Sequence, residues 1–259
     1  ELKARDGFVI VTLGWIMMAV FSSLPFYLSS SQLTITNSFF ESISGLTTTG
    51  ASILGSDIGN TPDIEDLSKG LLFWRSFTHF IGGMGIIVFS IAILPLLGVG
   101  GVQLFRAEVA GPVAEKITPR VKQTAKLLWG IYVGFVLVET LVLKFEGMNW
   151  HEAFCHSFGT MATGGFSTRN ESIASFNSPL IEYTIIVFMF VAATSFSLHY
   201  IFLAKRKFEY FKDEEFRLYL YVVLFFTLLI FLDINFNGFY AWSIESFNHS
   251  IFMSVSLIT

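Results

Sequence analysis

The chain has 259 residues and a net charge of −4, with 53% hydrophobic, 17% aromatic and only 14% charged residues. Soluble domains carry roughly 25% charged residues, so this composition, with its mean hydropathy of +0.63, excludes a soluble domain, a disordered tail and a nucleic-acid binder. The single cysteine, Cys155, excludes an intrachain disulfide framework and a cysteine-rich metal site. Glu1 in place of Met, and an apolar run still open at Thr259, lead us to expect a longer polypeptide.

In chain order, the apolar stretches 8–28, 77–105, 127–143, 183–204 and 218–232 meet or approach the ~20 residues that cross a hydrocarbon core, and five crossings are expected. Between them lie helix-like pieces at 36–46, 149–160 and 244–258. At 1.5 Å per residue the first two are about half a membrane thick. Laid alternately across a bilayer, the spans gather Lys3, Arg5 and the basic groups of 106–126 and 205–217 on one side. They leave only Lys69, Arg75, Lys144 and Arg169 on the other. The first side is then cytoplasmic, and all three half-length pieces fall near the outer surface.

These pieces repeat. Residues 40–50 align without a gap on 154–164, matching Phe40 with Phe154, Gly45 with Gly159, Thr49 with Thr163 and Gly50 with Gly164. A third copy starts at Phe252 and matches 40–47 at Phe, two Ser and Thr259. Each unit reads helix, half-helix, Thr-Gly loop, helix. Non-helical backbone at membrane depth persists only where it is buried in protein or lines a water-filled path, so the loops point to a pore lining. Glycine accepts positive φ without penalty, so Gly50 and Gly164 are expected to turn successive carbonyls toward one axis. Such carbonyls replace the hydration shell of a monovalent cation, and the C-terminal dipole ends of the half-helices favour a cation at the same place. Asn149 and Glu152 have capping-box spacing at the start of the second half-helix.

The strings ISGLTTTGAS and GTMATGGFST resemble the filters of the Trk/Ktr/HKT superfamily of potassium transporters. RSFTHFIGGMGIIVFSIAILP and RAEVAGPVAEKITPRVKQTAKLLWGIY resemble the TrkH branch in particular. The resemblance runs from about Phe8 to Thr259. It implies an all-α membrane protein of tandem helix, pore-helix, filter-loop, helix repeats, of which members have four around one pore. This chain holds two full repeats and the start of a third. The first is expected over 1–105, with pore helix 36–46 and filter 47–52, followed by a cytoplasmic link at 106–126. The second is expected over 127–204, with pore helix 149–160 and filter 161–167. A second link covers 205–217, and 218–259 begins the third repeat.

By this resemblance K⁺ is the transported ion, conducted inward, and its filter ligands are Thr48, Thr49, Gly50, Ala162, Thr163 and Gly164. Ala51 stands in the place of Gly165, and Met161 and Ala162 in those of Thr47 and Thr48, which leaves carbonyl but not side-chain coordination secure in the second copy. A bacterial inner-membrane location with several crossings, a homodimer, and a separate cytosolic nucleotide-binding subunit of the TrkA type are also implied. Channel-like flux and flux coupled to H⁺ or Na⁺, as in symporters of the same superfamily, both remain open.

Other residues carry weaker signals. Asp57, Asp63, Glu65 and Asp66 form an acidic outer loop that either concentrates cations or is simply solvated. Arg75, Glu139 and Glu182 fall near or inside spans and are functional candidates. His79, His151, His156, His199 and His249 lie on separate elements or near half-helix starts and suit packing better than a metal. The glycines of 97–101 lack the final glycine of a dinucleotide fingerprint, so no nucleotide site is expected in this chain. The basic groups of 116–126 and 205–217 suit a cytosolic partner or anionic lipid headgroups. An intramembrane serine protease, with Ser44 as nucleophile and His79 or His199 as base, would require a serine–histidine hydrogen bond. Against it, Ser42 stands where a Gly-x-Ser-Gly pattern needs glycine, and the second copy has Phe158 at the serine position.

Overall fold

The computed structural model describes residues 4–29, 33–55, 61–93, 117–238 and 243–259. The described residues contain helices and no strand: α1 Ala4–Leu28, α2 Ile35–Leu46, α3 Lys69–Ile93, α4 Ile117–Phe145, α5 Trp150–Met161, α6 Pro179–Ala192, α7 Phe196–Lys205, α8 Glu214–Phe236 and α9 Ile244–Ile258. The end of the second expected span, the glycines of 97–101, Arg106, Lys116 and Asp57 lie outside the described residues.

Helix starts follow local chemistry. Thr34, Asn149, Asp213 and Ser243 each accept a hydrogen bond from a first-turn backbone N–H, capping α2, α5, α8 and α9. Such caps contribute about 1 kcal/mol each. At Asn149 the expected reciprocal arrangement is modified: the Glu152 carboxylate accepts from the Asn149 side-chain amide at 2.6 Å.

By length and composition α1, α4 and α8 each hold a window able to cross a membrane. Their outward faces are apolar, with Phe21 61%, Leu218 65% and Tyr221 66% exposed. In α3 the helix begins at Lys69, well ahead of the expected 77. Arg75 does not end the span because it is buried and paired with Glu41 at 2.6 Å.

The fourth expected span, 183–204, is not one straight helix: α6 and α7 meet at 96°. Thr194 donates to the Phe190 carbonyl at 2.9 Å and His199 Nε2 to that of Val191 at 2.9 Å. Tyr210 completes the joint by donating its hydroxyl proton to His199 Nδ1 at 2.8 Å. Side chains thus replace the backbone partners that a break removes, a device that hydropathy does not register.

The short helices α2, α5 and α9 each pack one face against the long ones. α2 packs on α1 and α3, α5 on α3 and α4, and α9 on α8 and α6. Ser42 in α2 donates to the Ala19 carbonyl of α1 at 2.9 Å, and Ser254 in α9 donates to the Val223 carbonyl of α8 at 3.0 Å. α2 and α9 are therefore each pinned to the long helix before them by one buried hydroxyl. In α5 the matching Ser157 bonds its own helix, at the Ala153 carbonyl, and a cluster of Met84, Tyr132, Val136, Phe158 and Met161 holds α5 instead.

Candidate filter site

Two loops leave the C-terminal ends of α2 and α5 with the same backbone course. Thr48 and Thr163 have φ of 53° and 51°, and Gly50 and Gly165 have φ of 75° and 80°. The N–H groups turn back onto the helix ends: Thr49 bonds the Ser44 carbonyl at 3.0 Å and Gly164 the Gly159 carbonyl at 2.9 Å. Among the described residues no donor reaches the carbonyls of 47–50 or 162–165. Eight oxygens are thus left unclaimed by the protein, at the negative ends of two helix dipoles.

This geometry corrects the gap-free alignment by one residue. Thr48 corresponds to Thr163, Thr49 to Gly164 and Gly50 to Gly165. The left-handed glycine of the second loop is Gly165 rather than Gly164. The cause is that threonine occupies the first left-handed position in both loops, so matching glycine to glycine shifts the register. The caps Thr34 and Asn149 carry the signal that would have found it. The third copy keeps its register: Thr259 N–H bonds the Val255 carbonyl at 3.0 Å as Thr47 bonds that of Ile43 at 2.9 Å. The helices begin one residue from expectation, at Ile35 and Trp150, and α5 ends at Met161, inside the expected filter.

A cavity of about 300 Å³ lies where the loops meet. Thr49 and Gly50 line it from the first, Thr163, Gly164, Gly165 and Phe166 from the second, and Phe252, Ser256 and Thr259 from the third segment. Of the six expected ligands, Thr49, Gly50, Thr163 and Gly164 reach this cavity, while Thr48 and Ala162 do not. Ala162 is buried at the end of α5. Gly165 and Thr160 fall within the expected filter and pore helix but were not among the expected ligands, nor were the residues from α6 and α9. Gly50 and Gly164 are in close approach, since a Cβ on Gly50 would overlap the Gly164 carbonyl oxygen.

Behind the loops lies a polar layer. Glu41 accepts from Ser52 Oγ at 2.9 Å and from Ile53 N–H at 3.2 Å. One residue shift places His156 and Ser167 in the same relation, and they bond at 3.0 Å. Arg75 reaches both sets, donating to Glu41 and to the Ser167 carbonyl. His79 is wholly buried, its ring stacked on Phe166 at 4.0 Å between centroids.

Glu139 is buried in α4 and Glu182 is half-buried in the first turn of α6. The acidic turn Ile64–Asp66 ties the two outer loops together, because Asn170 accepts from Ile64 N–H at 3.3 Å and donates its own N–H to Glu65 at 3.4 Å. The protease reading lacks its required pair. Ser44 donates to the Ala51 carbonyl, and neither His79 nor His199 bonds it.

Comparison with known proteins agrees with this architecture. The chain is 43% identical to the Trk system potassium uptake protein TrkH of Escherichia coli (strain K12) over 262 residues, covering 100% of this chain and 53% of that protein. It is 36% identical to the Trk system potassium uptake protein TrkG of the same strain, covering 100% and 52%. The crystal structure of the potassium transporter TrkH from Vibrio parahaemolyticus superposes with a TM-score of 0.86 at 37% identity, covering 99% of this chain and 51% of that one. The chain thus spans about half the length of the curated relatives it matches. A family profile described as TrkH, cation transport protein, matches residues 1–256, and the chain belongs to this family of membrane proteins.

Proposed function

We propose that this chain forms part of a potassium-conducting pore, contributing two filter loops and the half-helix that leads to a third. The observation that carries the reading is the set of unclaimed carbonyls at 47–50 and 162–165, beside a cavity at three helix C-termini that Thr49, Gly50, Thr163, Gly164 and Gly165 of this set line. Dehydrating K⁺ requires several oxygens of moderate field held at once, and backbone carbonyls fixed by their own N–H bonds supply them. Thr48, Thr49, Gly50, Thr163, Gly164 and Gly165 are the filter residues on this reading, and Ala162 takes part only through its carbonyl. The repeats run over 1–105, 127–204 and from 218 onward, and the long helices cross a bacterial inner membrane several times.

The basic groups of 106–126 and 205–217 place those links on the cytoplasmic side. There they suit a cytosolic nucleotide-binding partner of the TrkA type, and the outward apolar faces suit lipid and a second copy in a homodimer. The E. coli relatives are named as members of a Trk system, which supports an assembly of several components.

The test is ion flux into vesicles carrying the full-length protein. Wild type should pass K⁺ in preference to Na⁺. Gly50→Ala should lower that preference, because the added methyl displaces the Gly164 carbonyl. Ser157→Ala, whose hydroxyl only bonds within α5, should leave it unchanged. An unaltered K⁺/Na⁺ ratio in Gly50→Ala would remove these loops from the selectivity element.

A further inference from the structure

Arg75 is 2% exposed and Glu41 wholly buried, although neither lines the cavity. Burying an ion pair costs desolvation that the attraction offsets only when the remaining donors and acceptors are also satisfied. Here they are satisfied by the filter loops. The Glu41 carboxylate takes Nε of Arg75 at 2.6 Å together with Ser52 Oγ at 2.9 Å on one oxygen, and Ile53 N–H at 3.2 Å on the other. Arg75 Nη1 donates to the Ser167 carbonyl at 2.9 Å, and the guanidinium lies 3.6 Å from the ring centre of Phe166.

Ser52 and Ile53 follow Gly50 in the first loop, and Phe166 and Ser167 follow Gly165 in the second. The outgoing limbs of both loops are therefore held by one side chain from α3. Among the described residues neither limb has a comparable buried charged tie of its own to the other. Across the same layer the second loop is held to its helix by His156, whose Nδ1 donates to the Glu152 carbonyl at 2.8 Å, so that Nε2 accepts the Ser167 hydroxyl proton at 3.0 Å.

We propose that Arg75 is a positioning residue for ion selectivity. With Glu41 it sets the separation of the first and second loops from behind, without touching the ion. The planar guanidinium suits this because its Nε and Nη1 donors point to two different acceptors at fixed geometry, whereas a lysine ammonium is a point charge on a flexible stem. The inference rests on the reading of these loops as a filter, since a tie between loops controls selectivity only if the loops select.

The experiment measures K⁺ and Na⁺ flux in vesicles carrying the full-length protein as wild type, Arg75→Lys, the charge-removing double variant Glu41→Gln/Arg75→Met, and Gly50→Ala. Because the readout is a ratio, a variant that merely lowers the amount of folded protein reduces both fluxes equally and leaves the ratio at the wild-type value. The expected result is a fall of about tenfold in the K⁺/Na⁺ ratio for both Arg75 variants. The double variant leaves no lone buried charge, so it keeps the test available if Arg75→Lys does not fold. Wild-type ratios in the Arg75 variants, with a reduced ratio in Gly50→Ala, would overturn the inference and leave the filter reading standing. Wild-type ratios in all variants would overturn both.

Discussion

Gly164 presses its α-carbon against the imidazole of His79, so that a methyl placed there would come within 2.5 Å of Cε1 and Nδ1. The ring cannot swing away freely, because it is buried and stacked on Phe166. Glycine is needed at 164 for space, and at 50 and 165 for backbone conformation. Overpacking of this kind costs about 1–3 kcal/mol. Gly164→Ala is therefore expected to lower thermal stability in detergent and to slow K⁺ flux, and His79→Ala in the same chain should recover most of both. Two contacting residues that fail to show such coupling in a double-mutant cycle would mean that the ring is not the obstacle.

The second prediction separates strain from collision. Gly165 has φ of 80° with open space around the position of a Cβ, whereas Gly50 has φ of 75° and faces the Gly164 carbonyl. A left-handed alanine costs roughly 1–2 kcal/mol, so Gly165→Ala should show that cost alone. Gly50→Ala should show it together with displacement of the Gly164 carbonyl. Unfolding midpoints should fall in the order wild type, Gly165→Ala, Gly50→Ala, and the K⁺/Na⁺ ratio should suffer most in Gly50→Ala. Equal losses at both positions would argue against the close approach of the two loops.

Much of this was legible in the sequence because it depends on length and period. Apolar runs of membrane thickness, interrupted pieces of half that length and the Thr-Gly strings after them all register in one dimension. The register of the second loop did not, because Thr163 takes a left-handed conformation that residue type does not advertise, and Gly164 is a glycine for packing reasons. The bend after Ala192 was equally hidden, since the Thr194 and His199 side chains that compensate it leave the hydropathy of 183–204 unchanged. The pairing of Arg75 with Glu41 had a signal that went unused: one carboxylate in an otherwise uncharged half-helix and one guanidinium in the following span have few other partners at that depth.

The bend between α6 and α7 gives a third prediction. His199 supplies a proton to the Val191 carbonyl and receives one from Tyr210. Replacing it by Phe keeps a ring but removes both bonds. Leaving such buried groups unmet costs about 1–3 kcal/mol, so His199→Phe should lower the unfolding midpoint clearly, while Tyr210→Phe, which removes only the outer bond, should lower it less. The reverse order would show that the histidine does not cap the broken helix.

Orientation can be tested with single cysteines in a Cys155→Ala background. The native thiol is wholly buried, so the wild type should itself resist a membrane-impermeant maleimide. Asp66 and Glu171 are exposed, and their loops are tied together through Asn170 and Glu65, so both must lie on one face of the molecule. Lys207 is exposed in the basic segment after α7. On the proposed orientation, the excess of Lys and Arg in 106–126 and 205–217 lies on the cytoplasmic side. Asp66→Cys and Glu171→Cys should then react in intact cells, and Lys207→Cys only after the membrane is opened. Reaction of position 207 in intact cells would reverse the orientation. Opposite behaviour of positions 66 and 171 would break the contact between the outer loops.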